Sequence, residues 1–233
     1  MDTNEEIENL LRRAAVLRLL AAGFLYPGAE LKQRLLQDIA AIPAGDATTA
    51  HPLAALERAW AMADEDTLTE EYSRLYIGGD AVLLQETAYC NTSRTAELAD
   101  INGFYLAFGF DLREDQREVS DHLGMELEFY SLLLLKQAYA LEQGWPDKFS
   151  ITRDAAKAFL ADHLGRWPQA VRERAAERQA APIYQILFET VTEAVQRECQ
   201  VLGVQPAPLN YSGPDFMQAP TFICPMEQAA AVK

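Results

Sequence analysis

The chain has 233 residues, 49% of them apolar, enough for one domain with a sizeable core and at most two small ones. A formal net charge of −15 and a pI of about 4.6 exclude nucleic acid or an anionic membrane as the main partner, because both would be repelled, and favour a basic partner. No apolar run approaches the roughly eighteen residues of a membrane span, and the acidic start Asp2-Thr3-Asn4-Glu5-Glu6 is unlike the basic opening of a secretory signal.

The first helix is predicted over 4–26, where Ile7, Leu10, Leu11, Ala14, Leu17, Ala21 and Phe24 form one apolar stripe that ends at Pro27-Gly28. A second is predicted over 29–41, stopped by Pro43 to Gly45, and a looser helical piece over 52–63. The next begins at Asp66 or Thr67 and runs to Ile77, with Leu68, Tyr72, Leu75 and Tyr76 facing inward. Gly78-Gly79-Asp80 breaks the pattern and opens a loop to about Asn91. Helices resume over 92–108, 120–143 and 151–164, with Gly144-Trp145-Pro146 as punctuation. A charged, exposed helix is predicted over 168–179, and a last amphipathic one over 182–201, with Pro182 in its first turn. No alternating strand series appears, so the fold class is all-α, a single-domain bundle of about eight helices over 1–203. The tail 204–233 is proline-rich and irregular, with Phe216 and Phe222 as candidate anchors.

The segment Glu118 to Tyr130 sets Asp121 and His122 at the start of a helix that the run Leu132 to Leu135 makes apolar nearly all round. Ser120 or Asp121 is suited to cap that helix, and His122 to form a contact that switches with pH near 6.5. An acid/base pair is disfavoured, since neighbouring helical residues point about a hundred degrees apart. The cysteines Cys90, Cys199 and Cys224 are odd in number and widely spaced, giving neither a disulfide framework nor a zinc pattern, as in a reducing cytoplasm. His51, His122 and His163 stand in no metal-binding spacing. Gly78-Gly79 lacks the lysine of a phosphate-binding loop and reads instead as a helix C-cap. The aromatics Tyr72, Tyr76, Tyr89, Phe104, Tyr105, Phe108, Phe129 and Tyr130 are mostly core. A minority at a rim, with Glu86 and Glu126, would edge an apolar groove with carboxylates.

Three blocks together resemble the TorD/DmsD/NarJ-type chaperones, which mature molybdenum-dependent redox enzymes. They are Glu71-Tyr72-Ser73-Arg74-Leu75-Tyr76-Ile77-Gly78-Gly79, Gln85-Glu86-Thr87-Ala88-Tyr89, and Asp121-His122 continuing as Glu126-Leu127-Glu128-Phe129. Ser120 stands where the family usually has Pro, and so does Gly79. The resemblance implies a cytoplasmic, non-enzymatic chaperone, monomer or homodimer. It would bind the twin-arginine or leader-like N-terminus of a molybdopterin oxidoreductase's catalytic subunit through Tyr72, Tyr76, Gly78, Gly79, Glu86, Tyr89, Asp121, His122 and Glu126. It would hold that subunit until its molybdenum cofactor is inserted, needing no cofactor or metal of its own beyond transient contact with the client's. The arginines would pair bidentately with carboxylates, and the apolar stretch would lie in the groove as a helix. The competing expectation is an α-helical enzyme using His122 with Asp121 or Glu126, with or without the help of a metal.

Overall fold

The computed structural model describes residues 2–43, 47–77, 80–111 and 120–211. Nine α-helices succeed one another there: α1 Thr3–Ala22, α2 Ala29–Ala41, α3 Ala47–Met62, α4 Glu65–Tyr76, α5 Arg94–Ala107, α6 Leu123–Glu142, α7 Pro146–Phe159, α8 Pro168–Glu177 and α9 Pro182–Leu202. Among the described residues there is no strand, only an isolated antiparallel bridge between Gln85 and His122. No described helix is long and apolar enough to cross a membrane. The all-α expectation holds.

α6 is the central element. Its residues Leu123, Leu127, Phe129, Tyr130, Leu133 and Leu134 are all buried, as an apolar run on every face requires. α1 lies along it in the opposite direction, and small residues let the two backbones approach. Ser131 donates from Oγ to the Ala14 carbonyl at 2.9 Å. One end further on, a Cβ on Gly124 would sit 3.3 Å from the Ala21 carbonyl oxygen. α7 covers another side of α6, where Tyr105 of α5, Phe129 and Phe159 stack with centroids 4.7 and 4.8 Å apart. α9 packs on α3 and α8, and Phe188 meets Phe24 at the end of α1 at 5.5 Å. A buried ion pair between Arg13 and Glu198 ties α1 to α9, and the Tyr130 hydroxyl donates to the same carboxylate at 3.1 Å.

Three predicted elements are corrected. α3 starts at Ala47 and runs through Pro52, which forfeits one backbone bond while buried Leu53, Leu56 and Trp60 hold the helix. α7 begins at Pro146, because proline suits a first helical turn as well as a break. The predicted exposed helix, α8, buries Pro168, Ala170, Val171 and Ala175. After α7 the chain widens into a π turn over Leu160–Leu164, closed by Gly165 N–H donating to the Leu160 carbonyl at 3.0 Å. Only glycine fits there, since a Cβ would lie 2.3 Å from that same oxygen. Beyond α9, residues 204–211 run back over the body. Leu209 N–H donates to the Arg166 carbonyl at 2.8 Å, and the Tyr211 ring sits 5.5 Å from that of Tyr89. Phe216, Phe222 and Cys224 lie outside the described residues.

Candidate functional site

The loop before α5 is stitched to the start of α6. Glu86 N–H donates to the Asp121 carbonyl at 2.9 Å, and Leu123 N–H to the Leu84 carbonyl at 2.8 Å. The Asp121 side chain completes the seam by accepting from Thr87 N–H at 3.1 Å and from its hydroxyl at 2.6 Å. Asp121 is therefore not the cap expected from its position. His122 takes that role, its Nδ1 accepting from Gly124 N–H at 3.1 Å. Tyr105 secures the approach by donating to the Ser120 carbonyl at 2.7 Å.

Behind the seam lies a buried polar network. Glu86 and Glu126 have no exposed surface. Glu126 accepts from the Trp167 indole N–H at 3.0 Å, and Glu86 Oε2 lies 3.0 Å from His163 Nδ1. The other ring nitrogen of His163 is 3.2 Å from Asp100 Oδ2, and Arg166 approaches Glu86 Oε1 to 3.8 Å. Burial, reinforced by the charge of Glu86, raises the Glu126 carboxyl well above the usual carboxylate range, against the opposing effect of Trp167. Burial also raises Glu86, partly countered by His163. For His163, burial disfavours the cation, but the bonds to Glu86 and Asp100 outweigh it and raise its pKa.

On the opposite side of the first turn of α6 a groove of about 490 Å³ opens between α1, α2 and α6. Its floor is Leu19, Ala22, Leu25, Ile42 and Met125; its charged groups are Arg18, Arg34, Asp38 and Glu128; and His122 closes one end.

Of the predicted site residues, Glu86, Asp121, His122 and Glu126 come together at the seam, and Tyr72 and Tyr76 lie apart from them. His122 alone lines the groove. Glu86, Asp121 and Glu126 lie beneath it, fully buried, and do not form a rim. Tyr89 is buried against Trp167 at 5.6 Å. Tyr72 and Tyr76, half-buried, belong to a separate aromatic ladder with Tyr26, Tyr184 and Phe188. The single concave patch expected from Tyr76, Glu86, Asp121, His122 and Glu126 is therefore not what the fold builds. Gly78 and Gly79 lie outside the described residues. Asp121 turns to Thr87, His122 Nδ1 to the Gly124 N–H, and Glu126 to Trp167. His163 (weighed only among histidines without metal-binding spacing), Trp167, Asp38 and Glu128 (named only within the third block) were not assigned to a site from the sequence. A polar His163 inside the apolar run Phe159, Leu160, Leu164, Trp167 is the signal that was present for the first two.

Known proteins similar to this chain are described as a reductase subunit family and as reductase assembly chaperones. The family model described as nitrate reductase delta subunit matches residues 41–173. The chain is 29% identical over 208 residues to the chlorate reductase assembly chaperone protein of Ideonella dechloratans, spanning 87% of this chain and 96% of that one. It is 30% identical over 205 residues to the selenate reductase assembly chaperone protein of Thauera selenatis, spanning 87% and 95%. A shorter match of 110 residues at 29% identity joins it to the perchlorate reductase assembly chaperone protein of Dechloromonas aromatica, 47% of this chain and 48% of that one.

Proposed function

This chain belongs to the nitrate reductase delta subunit family, and from that premise we propose how it acts as a maturation chaperone for a redox enzyme. It is not a catalyst; its partner is the catalytic subunit of a reductase. The client is a molybdopterin-dependent oxidoreductase, met in the cytoplasm before export or assembly. The chaperone holds the client's N-terminal leader in the groove between α1, α2 and α6 until the cofactor is inserted, and the occupied leader is hidden from the export machinery.

The observation that carries this reading is the groove itself. Its apolar floor suits the hydrophobic face of a helical leader, and Asp38 and Glu128 offer carboxylates to its arginines. Arg18 and Arg34 are placed to meet carbonyl or carboxylate oxygens of the same peptide. The buried network beneath holds the first turn of α6 in place, so Glu86, Asp121 and Glu126 support the site without touching its occupant.

The test is titration calorimetry with a synthetic peptide carrying paired arginines before an apolar stretch. Asp38→Asn and Glu128→Gln should each weaken binding by about 1 kcal/mol, roughly fivefold, if the rim is solvated. Raising the salt should weaken the wild type similarly, because ~0.1 M ionic strength screens beyond about 10 Å. Affinity indifferent to both substitutions, to salt and to replacing the arginines with glutamine would refute the groove as the leader site.

A further inference from the structure

We propose that Glu86, Glu97 and His163 form a binding site for one divalent transition-metal cation. One donor atom from each lies within 4.8 Å of the other two. His163 Nδ1 is 3.0 Å from Glu86 Oε2 and 4.0 Å from Glu97 Oε2. Bonds of about 2.0–2.2 Å to nitrogen and oxygen hold neighbouring ligand atoms roughly 3–4 Å apart, so the donors need little rearrangement.

Each ligand is already oriented from outside the set. The π turn over Leu160–Leu164 aims the ring of His163 inward. Asp100 Oδ2, 3.2 Å from Nε2, can keep that nitrogen's proton as a hydrogen bond when a cation displaces the proton shared between Nδ1 and the glutamates. That is the carboxylate–histidine–metal arrangement. Thr92 donates its hydroxyl to Glu97 Oε1, leaving Oε2 turned toward the ring. Glu86 has no exposed surface; its Oε2 faces His163, and its Oε1, on the Arg166 side, has no hydrogen-bond partner, which leaves that carboxylate short of donors. Arg166, 3.8 Å from that atom, answers it only in part.

Charge points the same way. Four carboxyl groups (Glu86, Glu97, Asp100 and Glu126) surround the one imidazole and the one guanidinium of Arg166. Two carboxylates and an imidazole suit ions of the Mn²⁺, Fe²⁺ and Zn²⁺ class and leave a coordination position open. The ligands come from the loop before α5, from α5 and from the π turn, so no sequence spacing announces them. The bound ion would staple α5, whose outer face is exposed, to the rest of the bundle.

Untagged full-length protein, stripped with chelator, is titrated calorimetrically with Zn²⁺ and with Mn²⁺, and metal retained after gel filtration is measured by elemental analysis. One equivalent per chain of at least one ion is expected, with a melting temperature raised by that ion. Glu97→Gln, checked for folding by circular dichroism, should lose the equivalent and the thermal shift, and Asp100→Asn should weaken binding by about 10–100-fold. No uptake of either ion by the wild type would overturn the proposal. So would uptake that is the same in Glu97→Gln and Asp100→Asn, which would place the ion elsewhere.

Discussion

Removing one member of the Arg13–Glu198 pair should cost far more than removing both. The two side chains are 13% and 4% exposed, so each is largely stripped of water and depends on the other. Burial opposes the charge of Arg13, yet the bond to Glu198 more than offsets it and raises the guanidinium's pKa. Glu198→Ala leaves that guanidinium without its partner and the buried Tyr130 hydroxyl without its acceptor. Arg13→Ala leaves a buried carboxylate with one hydroxyl donor. Breaking such a pair costs about 3–5 kcal/mol, and in a domain of this size each kcal/mol lowers the melting temperature by about 2–4 °C. Each single variant should therefore melt roughly 6–20 °C below the wild type. The double variant Arg13→Met, Glu198→Met fills the same space without charge and loses only the acceptor of the Tyr130 hydroxyl, so it should lie no more than about 1–2 kcal/mol below the wild type. Urea unfolding followed by circular dichroism completes the double-mutant cycle. Single variants costing under about 1 kcal/mol, or a double variant as damaged as the sum of the singles, would refute the desolvated pairing.

Glu71 links stability to acid pH. Burial pushes its pKa up, but the bonds from Arg74 and from Ala181 N–H outweigh that and hold it below 4.5, so its contribution is present above about pH 4.5 and lost as the pH falls through the folded value. The stability gap between wild type and Glu71→Gln in urea should shrink below that pH; a gap constant from neutral to strongly acid solution contradicts the linkage. Gly124→Val should force α1 away from α6 at the Ala21 carbonyl, costing about 1–3 kcal/mol in thermal melts and weakening leader binding in the adjoining groove. An unchanged melt would show that the crossing has slack.

Much of the fold was legible because punctuation and periodicity agreed. α2 runs from Ala29 to Ala41, as predicted, since Gly28 precedes it and Pro43 follows two residues after its end. α6 was legible as a buried helix from its apolar run, though its first residue is Leu123 and not Ser120, because Ser120 and Asp121 form a turn and the bridge to Gln85 holds His122 extended. Proline misled twice, at Pro52 and Pro146, where neighbouring apolar burial or first-turn placement decided the outcome. The polar blocks were rightly singled out, but their depth was not readable. A glutamate in sequence looks solvated, and only the partners His163, Thr87 and Trp167, distant in the chain, show what holds Glu86, Asp121 and Glu126 inside. The groove was less legible still. Its charges come from exposed or half-buried positions of α1, α2 and α6 that carry no periodic signal, and only the packing brings them together.

The pairing of α1 with α6 and α9 also has a consequence in time. α1 meets its partners across 117 residues at Ser131 and 185 at Glu198, so it leaves the ribosome before either. At about 5–20 residues per second, its apolar stripe waits on the order of ten seconds for α6 and longer for α9. During synthesis this chain is therefore itself a nascent client, presenting a hydrophobic helix that is unpartnered until α6 emerges and incompletely covered until α9 does.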